Sequence, residues 1–156
     1  MTEPRHLLVV FQSRSGATEA MADAVIAGAT SDEIDEVEVR AKRAPDAEAD
    51  DVRWCDAILL GTPENFGYMS GLMKDFLERV FYAIVNETPG LPYALFVKAG
   101  NDGEGAIHSI ERIVTGLKWK AALPPVVVTG DVGTDDLEQC RELGLTLAAG
   151  LEAGVF

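Results

Sequence analysis

Short apolar runs rich in β-branched residues alternate along this chain with stretches of helical periodicity, and that alternation constrains the fold more than any other feature. Repeated strand-helix-strand units of this kind build a mostly parallel sheet covered on both faces. His6 to Phe11 (HLLVVF) reads as the first buried strand, and Gly16 to Ala29 as a helix with Ala20, Met21, Ala24, Val25 and Gly28 on one face. Glu33 to Arg40 alternates Ile34, Val37 and Val39 with acids, the pattern of an edge strand. Ala44 to Val52, with Pro45 and several acids, reads as a short helix or a loop. Asp56 to Gly61 (DAILLG) is continuous enough in apolar character for a central strand. Gly71 to Val85 carries Leu72, Met73, Phe76, Leu77, Val80 and Phe81 at helical period. Leu91 to Lys98 is a fourth strand, Ala106 to Leu117 a helix, Ala121 to Val128 a fifth strand, and Asp135 to Ala153 a last helix capped by Thr134 or Asp135. The expectation is one α/β domain over residues 1–156: three layers around a doubly wound, five-stranded parallel sheet of order 2-1-3-4-5.

Composition narrows the partners. The formal net charge is −13, from 13 basic and 26 acidic side chains. Such a chain is repelled by nucleic acid and by anionic membranes, and its acids either solvate the surface or steer basic partners toward it. Cys55 and Cys140 form no C-x-x-C or ligand spacing, so a metal site is not expected and both read as buried small apolar residues. The apolar run near the start, Leu7 to Phe11, is too short for a secretory signal, and no segment has the apolar length of a membrane span. A cytoplasmic location is the expectation.

In an open sheet of this type ligands sit outside the carboxyl ends of the strands, so the loops there carry most information. The first is Gln12-Ser13-Arg14-Ser15-Gly16-Ala17-Thr18. Hydroxyls on Ser13, Ser15 and Thr18 can donate to a phosphate, Gly16 lets backbone N–H groups converge, and the helix beyond adds the positive end of its dipole. A triphosphate-binding loop would need Gly-Lys-Ser/Thr, yet no lysine lies between His6 and Arg40, and G-x-G-x-x-G is absent too. The plain alternative is a helix cap made by Ser13 or Ser15.

Ser13-x-Ser15-Gly16-x-Thr18 after an apolar strand resembles the FMN phosphate loop of the flavodoxin family. The resemblance implies hydroxyl donation from Ser13, Ser15 and Thr18 and backbone donation from Arg14, Gly16 and Ala17. Arg14 then either offsets phosphate charge or faces solvent. A second stretch, Gly61-Thr62-Pro63-Glu64-Asn65-Phe66-Gly67-Tyr68-Met69-Ser70-Gly71 continued by Met73-Lys74-Asp75-Phe76-Leu77-Glu78-Arg79, resembles a segment of NAD(P)H-dependent FMN reductases and of quinone reductases of the tryptophan-repressor-binding-protein type. By that resemblance Pro63, Glu64, Asn65, Phe66, Gly67 and Tyr68 border the flavin ring. The resemblance also implies that the loop Ala99-Gly100-Asn101-Asp102-Gly103-Glu104-Gly105 borders its other side.

The resemblance implies an FMN flavoprotein that needs no catalytic side chain, since the ring carries the chemistry. Glu64, Asn101 and Asp102 are candidates for tuning its electronics. Two functions follow: an NAD(P)H-dependent reductase of a flavin, quinone or similar small acceptor, or a flavodoxin-type electron carrier working with a basic redox protein. The 99–105 loop has no aromatic to cover the outer face of the ring, which favours the reductase, although Tyr68 can take that place. The chain lacks the inserted segment and histidine pair of the quinone reductases, with Leu117-Lys118-Trp119 in that region. His108 reads as a surface residue, and Phe81 to Val85 suits either a homodimer contact or the core.

Overall fold

A computed structural model describes residues 3–156. Five parallel ladder positions form the sheet in the order β2 (Val37–Arg43), β1 (Arg5–Phe11), β3 (Ala57–Asn65), β5 (Pro92–Ala99), then an edge position shared by β6 (Lys120–Ala121) and β7 (Val126–Thr129). Helices α1 (Ala17–Ala29) and α5 (Thr134–Glu152) lie on one face; α2 (Ala49–Trp54), α3 (Gly71–Ile84) and α4 (Glu104–Gly116) lie on the other. The expected order 2-1-3-4-5 therefore holds by ladder position. The fifth strand is interrupted at residues 122–125, where two consecutive prolines remove the N–H donors a continuous ladder requires.

The strand period of two divides the core between the layers. From β1, Leu8 and Val10 point to the α2–α4 side while Leu7, Val9 and Phe11 point to α1 and α5; β3 splits Ile58 and Leu60 from Leu59 in the same way. Each fully buried side chain of this size contributes roughly 1.5–3 kcal/mol. On α1 the buried residues are Thr18, Met21, Ala22, Val25, Gly28 and Ala29, so Ala20 and Ala24 lie at the flank of the expected face.

Two other boundaries differ from the expectation. The second strand begins at Val37, because Ile34 is held in a turn by its N–H bond to the Ser31 carbonyl (2.9 Å) and Glu152 accepts from the amides of Asp35 and Glu36 (2.7 and 2.6 Å). At α5 the N-cap position is Gly133, whose amide donates to Asp136 at 2.8 Å, one residue before the expected cap. The undecided stretch after β2 is a 3₁₀ turn, Ala44–Asp46, followed by α2.

Asp51 ties β2 to α2. It is 4% exposed and accepts from Arg40 Nη1 (2.9 Å), Lys42 Nζ (3.0 Å) and the Glu48 amide (2.8 Å). Burial alone raises its pKa, but the Glu48 amide, Lys42 and Arg40 together outweigh burial and hold the carboxyl below its ordinary range. A depressed folded value gives stability that is present above the unfolded carboxylate value near roughly pH 4 and is lost as pH falls through the folded one. Asp51→Ala is expected to cost about 1–3 kcal/mol at pH 7 and progressively less as pH falls below the ordinary carboxylate range. Urea midpoints of both proteins at neutral pH and below that range check this; an equal gap at both would refute it.

Candidate functional site

At the carboxyl edge β1 ends in Phe11, and the chain turns through residues 12–16 into α1. Gly16 is the N-cap at φ 97°, and nothing lies within 4 Å of where its Cβ would stand. Ser13 Oγ accepts from the Gly16 amide at 3.1 Å and closes the turn. The first intrahelical bond is Ala20 N–H to the Gly16 carbonyl, and no cap side chain bonds the helix. The amides of Ala17, Thr18 and Glu19 thus lack intrahelical acceptors, which is the donor set an anion takes. Arg14 and Ser15 are exposed, and Arg14 forms no ion pair among the described residues. Thr18 is buried in the first turn.

The second loop is a hairpin. β3 runs on to Asn65 and pairs with β4 (Tyr68–Met69) through Glu64↔Met69 and Asn65↔Tyr68. Its two-residue turn has positive φ at both Phe66 (55°) and Gly67 (68°), the pattern of a type I′ hairpin, for which glycine suits but phenylalanine is strained. Phe66 is fully exposed, while Met69 is buried and its amide donates to Ser109 Oγ at 3.1 Å. The tip sits on α4 so closely that a Cβ on Gly105 would meet the Gly67 carbonyl oxygen at 1.8 Å. Thr62 Oγ1 accepts from the Ser70 amide at 2.9 Å, and Ser70 Oγ caps α3 by accepting from Met73 N at 3.1 Å. In the third loop Ala99 ends β5, Asn101 and Asp102 are exposed, and Gly103 is the N-cap of α4 at φ 81°.

The topology brings all three predicted loops to one edge of the sheet. Between the first two lies a cavity of about 420 Å³, lined by Gln12, Ser13, Arg14, Pro63, Asn65, Ser70, Gly71 and Leu72. Gln12 Oε1 is buried without a hydrogen-bond partner, the single such side-chain atom among the described residues. An orphaned acceptor beside a free amide turn suits a ligand with an anionic end and hydroxyls along its length, so the residues present fit a flavin mononucleotide. Sequence reasoning missed Gln12, Ser70, Gly71 and Leu72; only Gln12, adjacent to the Ser13 motif, carried a signal that could have been read. A comparable cavity of about 420 Å³ at the amino ends of the strands, near Arg53, Asp56 and Glu87, has no such amide cluster.

Neither cysteine belongs to the site. Burial, then Asp56, pushes the Cys55 thiol up to about 12; burial, then Asp136, pushes Cys140 up to about 11. Both are free and buried. His108 is exposed on α4, with Nε2 3.5 Å from Glu104. Phe81 and Tyr82 line an apolar groove between α3 and α4. No metal-binding group of His, Cys, Asp or Glu is found among the described residues, and no helix there is long and apolar enough to cross a membrane.

The flavodoxin family model matches residues 9–144. A flavodoxin of Aquifex aeolicus is 30% identical over 158 residues, covering 91% of this chain and 84% of its own. An NAD(P)H dehydrogenase (quinone) of Acidithiobacillus ferrooxidans is 35% identical over 91 residues, covering 47% of this chain and 46% of its own. The solved structure of a flavodoxin from the domain Archaea superimposes with a TM-score of 0.81 at 26% identity, over 94% of this chain and 98% of that one.

Proposed function

The chain belongs to the flavodoxin family of FMN-binding proteins, and from that premise we propose that it is an electron carrier holding FMN at the carboxyl edge of its sheet and exchanging electrons with basic redox proteins. The surface around the site carries this reading. Phe66 stands fully exposed beside the partly exposed Tyr68 and Leu72, while Asp102 and Asp131 on neighbouring loops and Glu104 and Asp135 in the first turns of α4 and α5 are exposed at the same edge. Holding a bulky residue at positive φ costs about 1–3 kcal/mol, and no buried contact at Phe66 compensates for it. An apolar tip within an acidic rim offers contact area to a partner and an attractive field to a basic one.

Bound FMN supplies the redox chemistry, accepting and releasing electrons singly or in pairs. The protein binds and orients. The amides of Ala17, Thr18 and Glu19, left without helical acceptors, and the hydroxyls of Ser13 and Ser15 would hold the phosphate, and Arg14 would offset part of its charge. The segments Pro63 to Tyr68 and Ala99 to Gly103 would border the ring, with the Glu64 carboxylate turned onto the amides of the second segment.

A second reading, NAD(P)H-dependent reduction of a quinone or flavin, is favoured by the absence of an aromatic in the 99–103 loop and by the half-chain likeness to a quinone dehydrogenase. Anaerobic mixing of the FMN-loaded protein with NADPH and with NADH separates the two. The carrier keeps its flavin absorbance over minutes with both and shows two separate one-electron waves in potentiometric titration. Bleaching within seconds establishes the reductase, and a protein that takes up no FMN sinks both.

A further inference from the structure

Two glycine turns of similar construction open at the carboxyl edge: Gly16 (φ 97°) ahead of α1 and Gly103 (φ 81°) ahead of α4. They differ in what their amides hold. At the α4 turn a single oxygen, Oε1 of Glu64, accepts from the amides of Gly100 (3.0 Å), Asn101 (2.6 Å) and Gly103 (3.3 Å), and Asp102 Oδ1 accepts from Glu104 N at 3.0 Å. At the α1 turn the side-chain acceptor is Ser13 Oγ, on one amide.

Glu64 is 7% exposed and lies 36 to 39 residues from the amides it binds. The backbone explains the need for it. β3 and β5 stay paired as far as Pro63↔Lys98, after which β3 turns away toward β4. Beyond that pair the 99–103 turn keeps only Ala99↔Thr129 on its β7 side, and on the β3 side the Glu64 carboxylate supplies the acceptor the ladder no longer offers. The fit is close, since a Cβ on Gly100 would stand 3.1 Å from the Glu64 carbonyl oxygen. A full negative charge suits three convergent N–H groups as a neutral acceptor does not.

We propose that Glu64 is the positioning residue of the flavin site: its carboxylate pins the 99–103 turn to the end of β3 and fills the amide turn ahead of α4, so that a phosphate is directed to the turn ahead of α1. The part of this that concerns FMN rests on the function proposed above. Glu64 acts as an internal anion, placing the ring-bordering loop and preventing the ligand from binding in reverse. It touches the loop rather than the reacting atoms, so its removal shows in geometry and affinity before it shows in rate.

The test uses the full-length protein without flavin, followed by backbone amide NMR, with inorganic phosphate as the probe. Wild type is expected to shift the amides of residues 13–19 on phosphate addition and to leave those of 100–103 still. Glu64→Ala should shift both sets and speed hydrogen exchange at Gly100, Asn101 and Gly103 about tenfold or more. Glu64→Gln, which keeps an acceptor oxygen of the same reach, should fall between them and guards against a variant that fails to fold. With FMN, the dissociation constants should rise in the order wild type, Glu64→Gln, Glu64→Ala. Equal exchange at the three amides in wild type and Glu64→Ala, or phosphate shifts at 100–103 in wild type, overturns the proposal. Silence at 13–19 in wild type counts against the FMN reading instead, and the exchange rates still decide the role of Glu64.

Discussion

Replacing Ser13 and Ser15 together by alanine is expected to weaken FMN binding by about a hundredfold or more while leaving riboflavin binding nearly unchanged. Each hydroxyl lost to a phosphate dianion removes a charge-assisted hydrogen bond of about 1.5–3 kcal/mol, and two of them correspond to roughly 10²–10⁴ in affinity. Ser13 has a second function, since its Oγ accepts from the Gly16 amide and shapes the turn. Riboflavin lacks the phosphate and therefore isolates that contribution. Both positions lie outside the buried core, so the apoprotein should melt within a degree or two of wild type. Fluorescence titration with both ligands provides the measurement. Parallel losses for FMN and riboflavin would place the phosphate elsewhere.

The largest stability effect is expected at the crossing of α1 and α5. A Cβ on Gly144 would stand 1.9 Å from the Val25 carbonyl oxygen, and one on Gly28 would stand 1.8 Å from the Arg141 carbonyl oxygen. Both obstacles are backbone, so no side chain can rotate away and the helices must separate. Gly144→Ala should destabilise by about 3 kcal/mol, at the upper end for overpacking, even after the gain of roughly 1 kcal/mol in helix propensity. For a domain of this size that is a fall of about 6–12 °C in melting temperature. Because α1 also presents the amide turn at its start, the same substitution should loosen FMN. A cooperative melt at the wild-type temperature would mean the helices do not cross this closely.

The elements legible in the sequence are those whose cause is local. His6 to Phe11 and Asp56 to Gly61 are apolar on successive residues because both faces of a central strand are covered, and the helices over 17–29, 71–84 and 104–116 follow their apolar periods. Ile34 continues the alternation of Val37 and Val39, yet its amide is held by the Ser31 carbonyl and the next two amides, of Asp35 and Glu36, by the Glu152 carboxylate from the far end of the chain. The apolar run of the last strand spans Pro124 and Pro125, whose missing donors mark the break between β6 and β7. Ser13 to Thr18, Pro63 to Tyr68 and Ala99 to Gly103, singled out by residue type as the candidate site, lie together at one edge of the sheet. The hydrogen bonds of Glu64, the orphaned oxygen of Gln12 and the exposure of Phe66 have no such signal in residue type.

A doubly wound α/β domain and a first turn rich in phosphate-binding residue types are legible locally, since strand period, helix period and turn chemistry act over a few neighbouring residues. Which of two similar amide turns is filled by a carboxylate is a matter of tertiary contact. That choice depends on where the ladder between β3 and β5 ends and on a carboxylate meeting amides nearly forty residues away, a convergence with no local signature.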